Sequence, residues 1–166
     1  MAIVEIRIDD RLIHGQVSTL WVPHFHVERL LIVDDAVASD ENHKAILRFG
    51  CPPKCKLSIF DAAKAAEKLG RHIDQGVNVM IVAASPIPLL RMTELGYPIP
   101  AITAGNMSRR PGTEQLAGLV YVSPQETAAF TALLEKGTRI GYQPTPTSRR
   151  EDLSPAINHL HHTQGE

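Results

Sequence analysis

The sequence lacks most features that would direct a protein to a membrane, to nucleic acid or out of the cell. It holds 2 cysteines in 166 residues, too few for a disulfide framework. Aromatic residues make up 5% of the chain, which argues against a surface that stacks on bases. No run approaches the roughly 18 apolar residues that a membrane-spanning helix needs. The opening residues, Met1 to Ile6, carry no basic leader or cleavage site, so we expect no signal peptide.

An excess of charge of one sign is also missing. The chain has 17 Lys and Arg against 18 Asp and Glu, a formal net charge of −1, so no global field attracts nucleic acid or an acidic membrane. Its apolar and charged contents are ordinary for a globular protein. The length suits one domain with a sizeable core. We therefore expect a globular protein of the reducing cytoplasm that binds no nucleic acid.

Strand and helix patterns alternate along the chain. Apolar runs typical of buried parallel strands lie at residues 29–33 and 77–83, residues 56–60 are also predicted to form a strand, and a helical pattern follows each. Such alternation predicts an α/β fold: an open, mostly parallel, twisted sheet of about seven strands with helices on both faces.

Helix boundaries and the end of the domain can also be predicted. Asp61 and Pro86 are expected to start helices, and Ser123 with Glu126 forms a capping-box pattern. We predict that residues 1–150 form the single domain. Residues 151–166 are predicted to be a loosely attached C-terminal tail, because the chain beyond Pro144 turns to Pro, Thr, Arg and His.

Ligand sites in open parallel sheets lie at the carboxyl ends of strands. This rule selects three loops, at residues 9–14, 84–86 and 104–112. The first loop belongs to the segment richest in reactive groups, which runs from Arg7 to Val17 and reads Arg-Ile-Asp-Asp-Arg-Leu-Ile-His-Gly-Gln-Val.

His14 is the candidate nucleophile of this segment, because neutral imidazole is a good nucleophile near pH 7. Arg11 can supply a forked guanidinium to phosphate oxygens. A helix is predicted to begin at His14 or Gly15 and to end at Pro23, so free backbone N–H groups would face the same point. Gly15 would let the backbone approach closely.

Several alternatives stay open from the residues alone. Asp9 or Asp10 could hydrogen-bond one ring nitrogen and fix which nitrogen attacks, or could hold Arg11 in place. The segment could also be a charged loop whose histidine only caps a helix. The basic pair Arg109 and Arg110 could be a solvated turn, or could contact a phosphate or an acidic partner surface.

The run from Arg7 to Val17, followed by Trp21, resembles the signature of IIB components of the mannose/fructose/sorbose family of the bacterial phosphoenolpyruvate-dependent sugar phosphotransferase system. Other matching segments follow in the family's order. They are Asp34 to Ala38, Gly105 to Met107 with Pro111 to Thr113, and Val122 with Ser123. The resemblance covers residues 3 to 150.

The resemblance implies a protein-N(pi)-phosphohistidine–sugar phosphotransferase, a phosphoryl carrier without metal or cofactor. His14 matches the phosphorylated histidine, which reacts through Nδ1, and Arg11 matches the arginine that neutralises the phosphoryl group. The donor would be a phosphohistidine on the IIA partner, and the acceptor a sugar held by the membrane partners IIC and IID. The protein would then be cytoplasmic, peripheral to the inner face of the membrane, and either a small homo-oligomer or a complex with IIA.

The remaining predicted site residues belong to the neighbouring loops. Phosphate or partner contacts are predicted for Gly15, Ser85, Gly105, Asn106, Met107 and Arg109. Ala84-Ser85-Pro86 departs from the family pattern, although Ser85 could still offer a hydroxyl to phosphate. Two other functions are compatible with the fold: a regulatory phosphoprotein or interaction module without sugar transfer, and a flavodoxin-type nucleotide-binding module. The second has no glycine-rich phosphate motif to support it.

Overall fold

The computed structural model describes residues 3–165, which hold nine strands. These are β1 (Ile3–Asp9), β2 (Arg29–Val33), β3 (Lys56–Phe60), β4 (Val79–Ala83), β5 (Ala101–Asn106), β6 (Glu114–Ala117), β7 (Val120–Val122), β8 (Arg139–Tyr142) and β9 (Glu151–Asp152). Seven of them form one sheet in the order β3-β2-β4-β1-β5-β8-β9, while β6 and β7 form a separate hairpin. Every neighbouring pair of the large sheet is parallel except β8 with β9. The predicted open, mostly parallel α/β sheet is confirmed.

The helices follow the strands as the sequence predicts. A π-helical turn (Val17–Trp21) runs into α1 (Val22–His24), and the others are α2 (Asp35–Ala38), α3 (Glu41–Gly50), α4 (Ala62–Gly70), α5 (Pro86–Glu94), α6 (Pro124–Glu135) and α7 (Ser154–Gln164). The side chain of Asp61 caps α4, and Ser123 with Glu126 forms the predicted capping box of α6. Helix α5 begins at Pro86. Over residues 3–165, none of these helices combines the length and the hydropathy needed to cross a bilayer.

Strand β4 shows why the sheet needs helices on both faces. Val79, Ile81 and Ala83 belong to one buried apolar cluster, while Met80 and Val82 belong to the other. Side chains alternate between the faces of a strand, so a strand that is apolar throughout must be covered twice. Helices α4 to α7 contribute to the first cluster, and the second includes Val17, Trp21 and Leu47 from the helices that follow β1 and β2.

Strand β1 lies between β4 and β5, at the centre of the sheet. Ile8 is level with Ala83 of β4 and with Ala104 of β5. The loops that follow these three strands therefore start side by side at one edge, as the strand-end rule predicts. Strand β5 continues to Asn106, so it includes the first residues of the predicted loop 104–112, because these residues still pair with β1 and β8.

The largest correction concerns residues 151–166, because the prediction of a loosely attached tail is wrong. Strand β9 pairs with β8, and Leu153, Ile157 and Leu160 are buried in the core. Their spacing is helical, but exposed polar and histidine side chains lie between them and hide the apolar stripe from a reading of composition. Helix α7 thus completes one face of the sheet.

The first helix also differs from the prediction, since it passes Pro23 and ends at His24. The amide of Val22 donates to the carbonyl of Val17, which is the longer hydrogen bond of a π-helical turn. Such turns occur often beside functional sites, and this one starts three residues after His14.

Candidate functional site

The site is built around Asp9, the last residue of β1, whose side chain is fully buried. Its Oδ2 lies 2.9 Å from His14 Nε2 and also 2.9 Å from Arg11 Nη2. Its Oδ1 accepts hydrogen bonds from Arg11 Nε (3.0 Å) and from the Arg11 amide (3.1 Å). The sequence left two roles open for this carboxylate. In the structure Asp9 has both, since it orients the imidazole and also holds the guanidinium.

Asp9 is held in its ionised form. Burial acts to raise the pKa of Asp9, but the hydrogen bonds from His14 and Arg11 outweigh it and bring the pKa below its usual range. The carboxylate in turn raises the pKa of Arg11, so that this side chain stays charged. The ionised Asp9 and Arg11 side chains and the His14 imidazole form one hydrogen-bonded unit.

The contacts of His14 define its tautomer. A carboxylate only accepts hydrogen bonds, so Nε2, which faces Asp9, carries the ring proton. Nδ1 then has a free lone pair, and it accepts a 3.3 Å hydrogen bond from the amide of Gln16. The imidazole side chain is 16% exposed. The nitrogen that can attack an incoming group is therefore Nδ1.

His14 is also the residue that caps the first helix. Its carbonyl accepts the first helical hydrogen bond, from the Ser18 amide at 3.0 Å, and residues from Gly15 onward are helical. The predicted helix start is thus confirmed. The helix-capping alternative describes a real contact, yet the capping bond uses the same Nδ1 lone pair that a nucleophile needs. Backbone N–H groups that face this nitrogen would also face an anion bound to it.

A tight turn brings Arg11 and His14 to the same carboxylate. Leu12 has a φ of 57°, which is rare for a bulky residue, and its amide donates to the Asp9 carbonyl at 2.9 Å. The Leu12 side chain is buried beside Val17 and Trp21 in the second core cluster. Burial of this side chain offsets the unfavourable backbone conformation.

Asp10 does not reach the imidazole, so its predicted orienting role is corrected. Its Oδ1 accepts from Asn106 Nδ2 at 2.7 Å, and its Oδ2 accepts from the Ser108 amide at 2.6 Å. Asp10 therefore ties the loop after β5 to the loop that carries His14. Asn106, one of the predicted loop residues, contributes through this bond.

The structure separates the other predicted contacts by exposure. Gly105 and Met107 are buried, so an incoming phosphate or partner would not reach them. A Cβ at Gly105 would overlap the guanidinium of Arg7, which explains the glycine. A Cβ at Gly15 would meet no atom within 4 Å, so the free protein leaves open space there. Ser85 Oγ accepts from the Ile87 amide at 3.3 Å and caps α5.

The two arginines of the loop after β5 have different surroundings. Arg110 is bonded to the carboxylate of Glu126 at 2.7 Å, which fixes the loop to the start of α6. Arg109 is exposed, and within residues 3–165 its side chain has neither an ion pair nor a hydrogen bond. Only Arg109 of this pair is therefore available to an approaching group.

Sequence reasoning assigned no role to Arg7, although it begins the signature. Its side chain is buried beneath the site and donates to the carbonyls of Gln143 (2.8 Å) and Pro144 (3.0 Å). One signal was present. In a strand covered on both faces, the residues that alternate with Ile6 and Ile8 must also be buried, whatever their charge.

Comparison with known proteins gives consistent matches over almost the whole chain. The family model described as PTS system sorbose subfamily IIB component matches residues 3–166. The fructose-specific EIIB component of the PTS system of Bacillus subtilis (strain 168) is 32% identical over 160 residues, 96% of this chain and 98% of that protein. The crystal structure of the IIBSor domain of the sorbose permease from Klebsiella pneumoniae has a TM-score of 0.87 and 32% identity, covering 96% of this chain and 98% of that one. The mannose-specific EIIAB component of Escherichia coli (strain K12) is 31% identical over 160 residues, 96% of this chain but 50% of that protein.

Proposed function

The chain belongs to the sorbose subfamily of PTS IIB components, which are phosphotransferases that carry phosphoryl groups to a sugar, and on that premise we propose that His14 is its phosphoryl carrier. The observation that supports this most directly is the pair of contacts on its ring. Nε2–H of His14 donates a hydrogen bond to Asp9, and the lone pair of Nδ1 faces the N-terminus of the first helix. That is the arrangement a histidine needs to accept a phosphoryl group on Nδ1.

The transfer is a simple displacement. The Nδ1 lone pair of His14 forms a bond to phosphorus while the P–N bond to the donor imidazole breaks and its electron pair returns to the donor. The His14 ring becomes cationic during this step, and its Nε2–H remains bonded to the Asp9 carboxylate, which stabilises the positive charge. Asp9 needs no proton of its own at any stage.

Arg11 and the start of the helix supply the positive groups for the phosphoryl oxygens. The Arg11 side chain is 41% exposed and shares Asp9 Oδ2 with His14, so its guanidinium lies beside the reacting ring. The amides of Gly15 and Gln16 lie at the helix N-terminus and can donate to the same oxygens. We assign Arg109 as a further contact to the phosphoryl group or to an acidic partner surface, because it is exposed and unpaired in the described part of the chain.

IIB components of the sorbose type work with IIA and with IIC and IID partners. We propose that the donor is a phosphohistidine on IIA and that the acceptor is a sugar held by IIC and IID. The relative from E. coli carries both designations, IIA and IIB, in its name, EIIAB, which supports IIA as the direct neighbour. In this arrangement the protein works in the cytoplasm, at the inner face of the membrane.

The test is phosphorylation of the purified protein by phosphoenolpyruvate, the general phosphotransfer proteins and IIA. We expect one acid-labile, base-stable phosphoryl group, located by 31P NMR on Nδ1 of His14, and its passage to sugar in membranes that contain IIC and IID. His14→Ala should abolish the label, while His24→Ala, a change in an exposed histidine of the same helix, should leave it unchanged. Equal labelling of the His14→Ala variant would refute the proposal.

A further inference from the structure

Arg7 is a charged residue beside the site, and neither solvent nor a direct ion pair within residues 3–165 compensates its positive charge. Its side chain is 1% exposed, one of the largest fully buried side chains within residues 3–165. A buried guanidinium loses its hydration, which is costly unless the protein replaces it. A nearby negative charge is therefore needed to offset the cost of burying the guanidinium of Arg7.

The direct contacts of Arg7 fix its position but do not neutralise its charge. Nη1 and Nη2 donate to the backbone carbonyls of Gln143 and Pro144, and the guanidinium carbon lies 4.3 Å from the centroid of the Trp21 ring. Gly105 has no side chain and so leaves room for the guanidinium of Arg7. These contacts come from three different elements, so the charge is held rigidly in one place.

The charged groups that face Arg7 are Asp9 and Glu5 on β1, Tyr142 on β8, and Arg11. Asp9 and Glu5 are two residues away on either side, and in a strand such side chains share one face at about 7 Å along its axis. Burial lowers the pKa of the Arg7 guanidinium, and Asp9 is the strongest of the charges acting in the opposite direction. Asp9 and Arg7 thus stabilise each other's ionised form.

Arg11 cannot serve Asp9 in the same permanent way. It now forms two side-chain bonds to Asp9, from Nε and from Nη2, yet in the proposed function its exposed guanidinium also binds the phosphoryl group. Each time Arg11 turns toward a phosphate, the negative charge of Asp9 loses part of the positive charge that balances it. Arg7 is buried and fixed, so its positive charge remains beside Asp9 throughout the cycle.

Resting on the proposed function of His14, we propose that Arg7 is a positioning residue for the transfer: its buried charge keeps Asp9 ionised and bonded to Nε2 of His14, which leaves Nδ1 as the nitrogen that is phosphorylated. Arg7 touches no reacting atom and acts only through Asp9. Without it, a protonated or displaced Asp9 would let the imidazole adopt both tautomers, and Nε2 would become a competing nucleophile.

The test reads the tautomer of His14 directly, from the 15N chemical shifts of its ring in the unphosphorylated protein. We expect the wild type to hold the Nε2–H tautomer. Arg7→Met, which preserves much of the side-chain length but removes the charge, should give a mixture of tautomers. It should also slow phosphorylation by IIA about tenfold or more, as expected for a histidine held in the wrong tautomer. 31P NMR should then show Nε2-phosphohistidine beside the Nδ1 isomer, and Arg7→Lys should restore part of the wild-type behaviour.

A matched control separates this role from a contribution to folding. Arg29 is a half-buried arginine of the same sheet, bonded to Ser58 at 2.7 Å, but it lies at the opposite end of the strands. Arg29→Met should leave the tautomer and the phosphorylated nitrogen unchanged. If Arg7→Met does not fold, Gly105→Ala replaces it, because its Cβ displaces the guanidinium without removing any charge.

The outcomes are distinguishable. A His14 ring that stays in the Nε2–H tautomer in the folded variant, whether Arg7→Met or Gly105→Ala, overturns the inference whatever the rate of transfer. The same mixture of tautomers in Arg29→Met also overturns it. A wild-type protein that is not phosphorylated on His14 would instead refute the proposed function, and it would do so before any Arg7 variant is compared.

Discussion

At the scale of single residues, Asp9 and Asp10 show how two adjacent carboxylates acquire different tasks. They follow each other at the end of β1, so their side chains point in different directions. Asp9 is enclosed and binds His14 and Arg11, whereas Asp10 faces the loop after β5 and binds Asn106 and Ser108. The neighbouring strand, and not the chemistry of the residue, decides which carboxylate serves the histidine.

We therefore expect Asp9→Asn to slow phosphorylation of His14 by about 100-fold, because the amide no longer stabilises the cationic ring or fixes its tautomer. Asp10→Asn should slow it by less than about tenfold, since it weakens only the bond between the two loops. Rapid-quench measurement of phosphoryl transfer from IIA compares the two. A larger loss in Asp10→Asn would contradict the assignment.

The lowered pKa of Asp9 also predicts a pH dependence of stability. An acid whose folded-state pKa is depressed stabilises the fold above its unfolded-state pKa of about 3.9, and this contribution is lost as the pH falls. Wild type should exceed Asp9→Asn by about 1–3 kcal/mol in free energy of unfolding at pH 7. The difference should begin to shrink as the pH falls below the unfolded-state pKa and should disappear once the pH has passed the lower folded-state pKa, as followed by urea unfolding. A difference that persists unchanged in acid would show that the charge is not its source.

At the scale of elements, the first helix and the loop after β5 close the site from two sides. The helix begins at His14 and contains a π-helical turn three residues later. The loop is tied to the histidine segment by Asp10 and to α6 by the Arg110–Glu126 ion pair. Polar contacts therefore fix the loop after β5, while the buried side chains of Val17 and Trp21 anchor the first helix in the second apolar cluster.

Phosphorylation should change the start of the first helix. The bond from the Gln16 amide to Nδ1 must break when Nδ1 binds phosphorus, and a phosphoryl oxygen is expected to replace it as a stronger, charged acceptor. The Gln16 amide should therefore show a large shift in 1H–15N spectra on phosphorylation. The Val37 amide, capped by Asp34 in α2, serves as the control and should not move. Equal shifts at both amides would contradict this local model of the cap.

Substitution of Arg110 should mainly lower stability, whereas substitution of Arg109 should mainly slow phosphoryl transfer. Arg110→Ala leaves the carboxylate of Glu126, whose side chain is 6% exposed, without this partner and should lower the free energy of unfolding by about 1–2 kcal/mol. Arg109→Ala should change stability by less than about 0.5 kcal/mol but slow transfer from IIA. Thermal unfolding and transfer kinetics on both variants test this contrast. A stable Arg110→Ala and an unstable Arg109→Ala would invert our assignment.

At the scale of the whole molecule, the C-terminal residues belong to the core that supports the site. Helix α7 covers part of one face through Ile157 and Leu160. The segment before it contributes Arg150, whose guanidinium binds Thr103 Oγ1 at 2.6 Å and the Ile102 carbonyl at 2.9 Å. The end of the chain thus braces β5, the strand beside β1.

Ile157→Ala should consequently lower the free energy of unfolding by about 2–4 kcal/mol, the usual cost of a cavity in a packed core. His159→Ala, a change at an exposed position of the same helix, should be almost neutral. Urea denaturation of both variants measures the difference. Two equally small effects would show that α7 is not an integral part of the core.

Much of the molecule could be predicted from the sequence by itself. The continuous apolar runs at β2 and β4 determined buried parallel strands, because such segments are stable only when both faces are covered. Capping residues such as Asp61 and Ser123 determined where helices begin, since their side chains bind amides a few residues away. The segment from Arg7 to Val17 indicated His14 as the reactive group. All of these are local properties of the chain.

Only the tertiary structure decided which groups meet around that histidine. Asp9 and Asp10 are neighbours in sequence, and their roles diverge because the Asp10 side chain meets Asn106 and the loop after β5, whereas the Asp9 side chain is enclosed with His14. The position of Arg7 depends on Gln143 and Pro144, which are more than a hundred residues away. Whether the last residues pack or stay loose depends on whether the sheet offers an uncovered face to Ile157 and Leu160. Contacts between distant segments form only when the whole chain is folded, so no local pattern of residues could have revealed them.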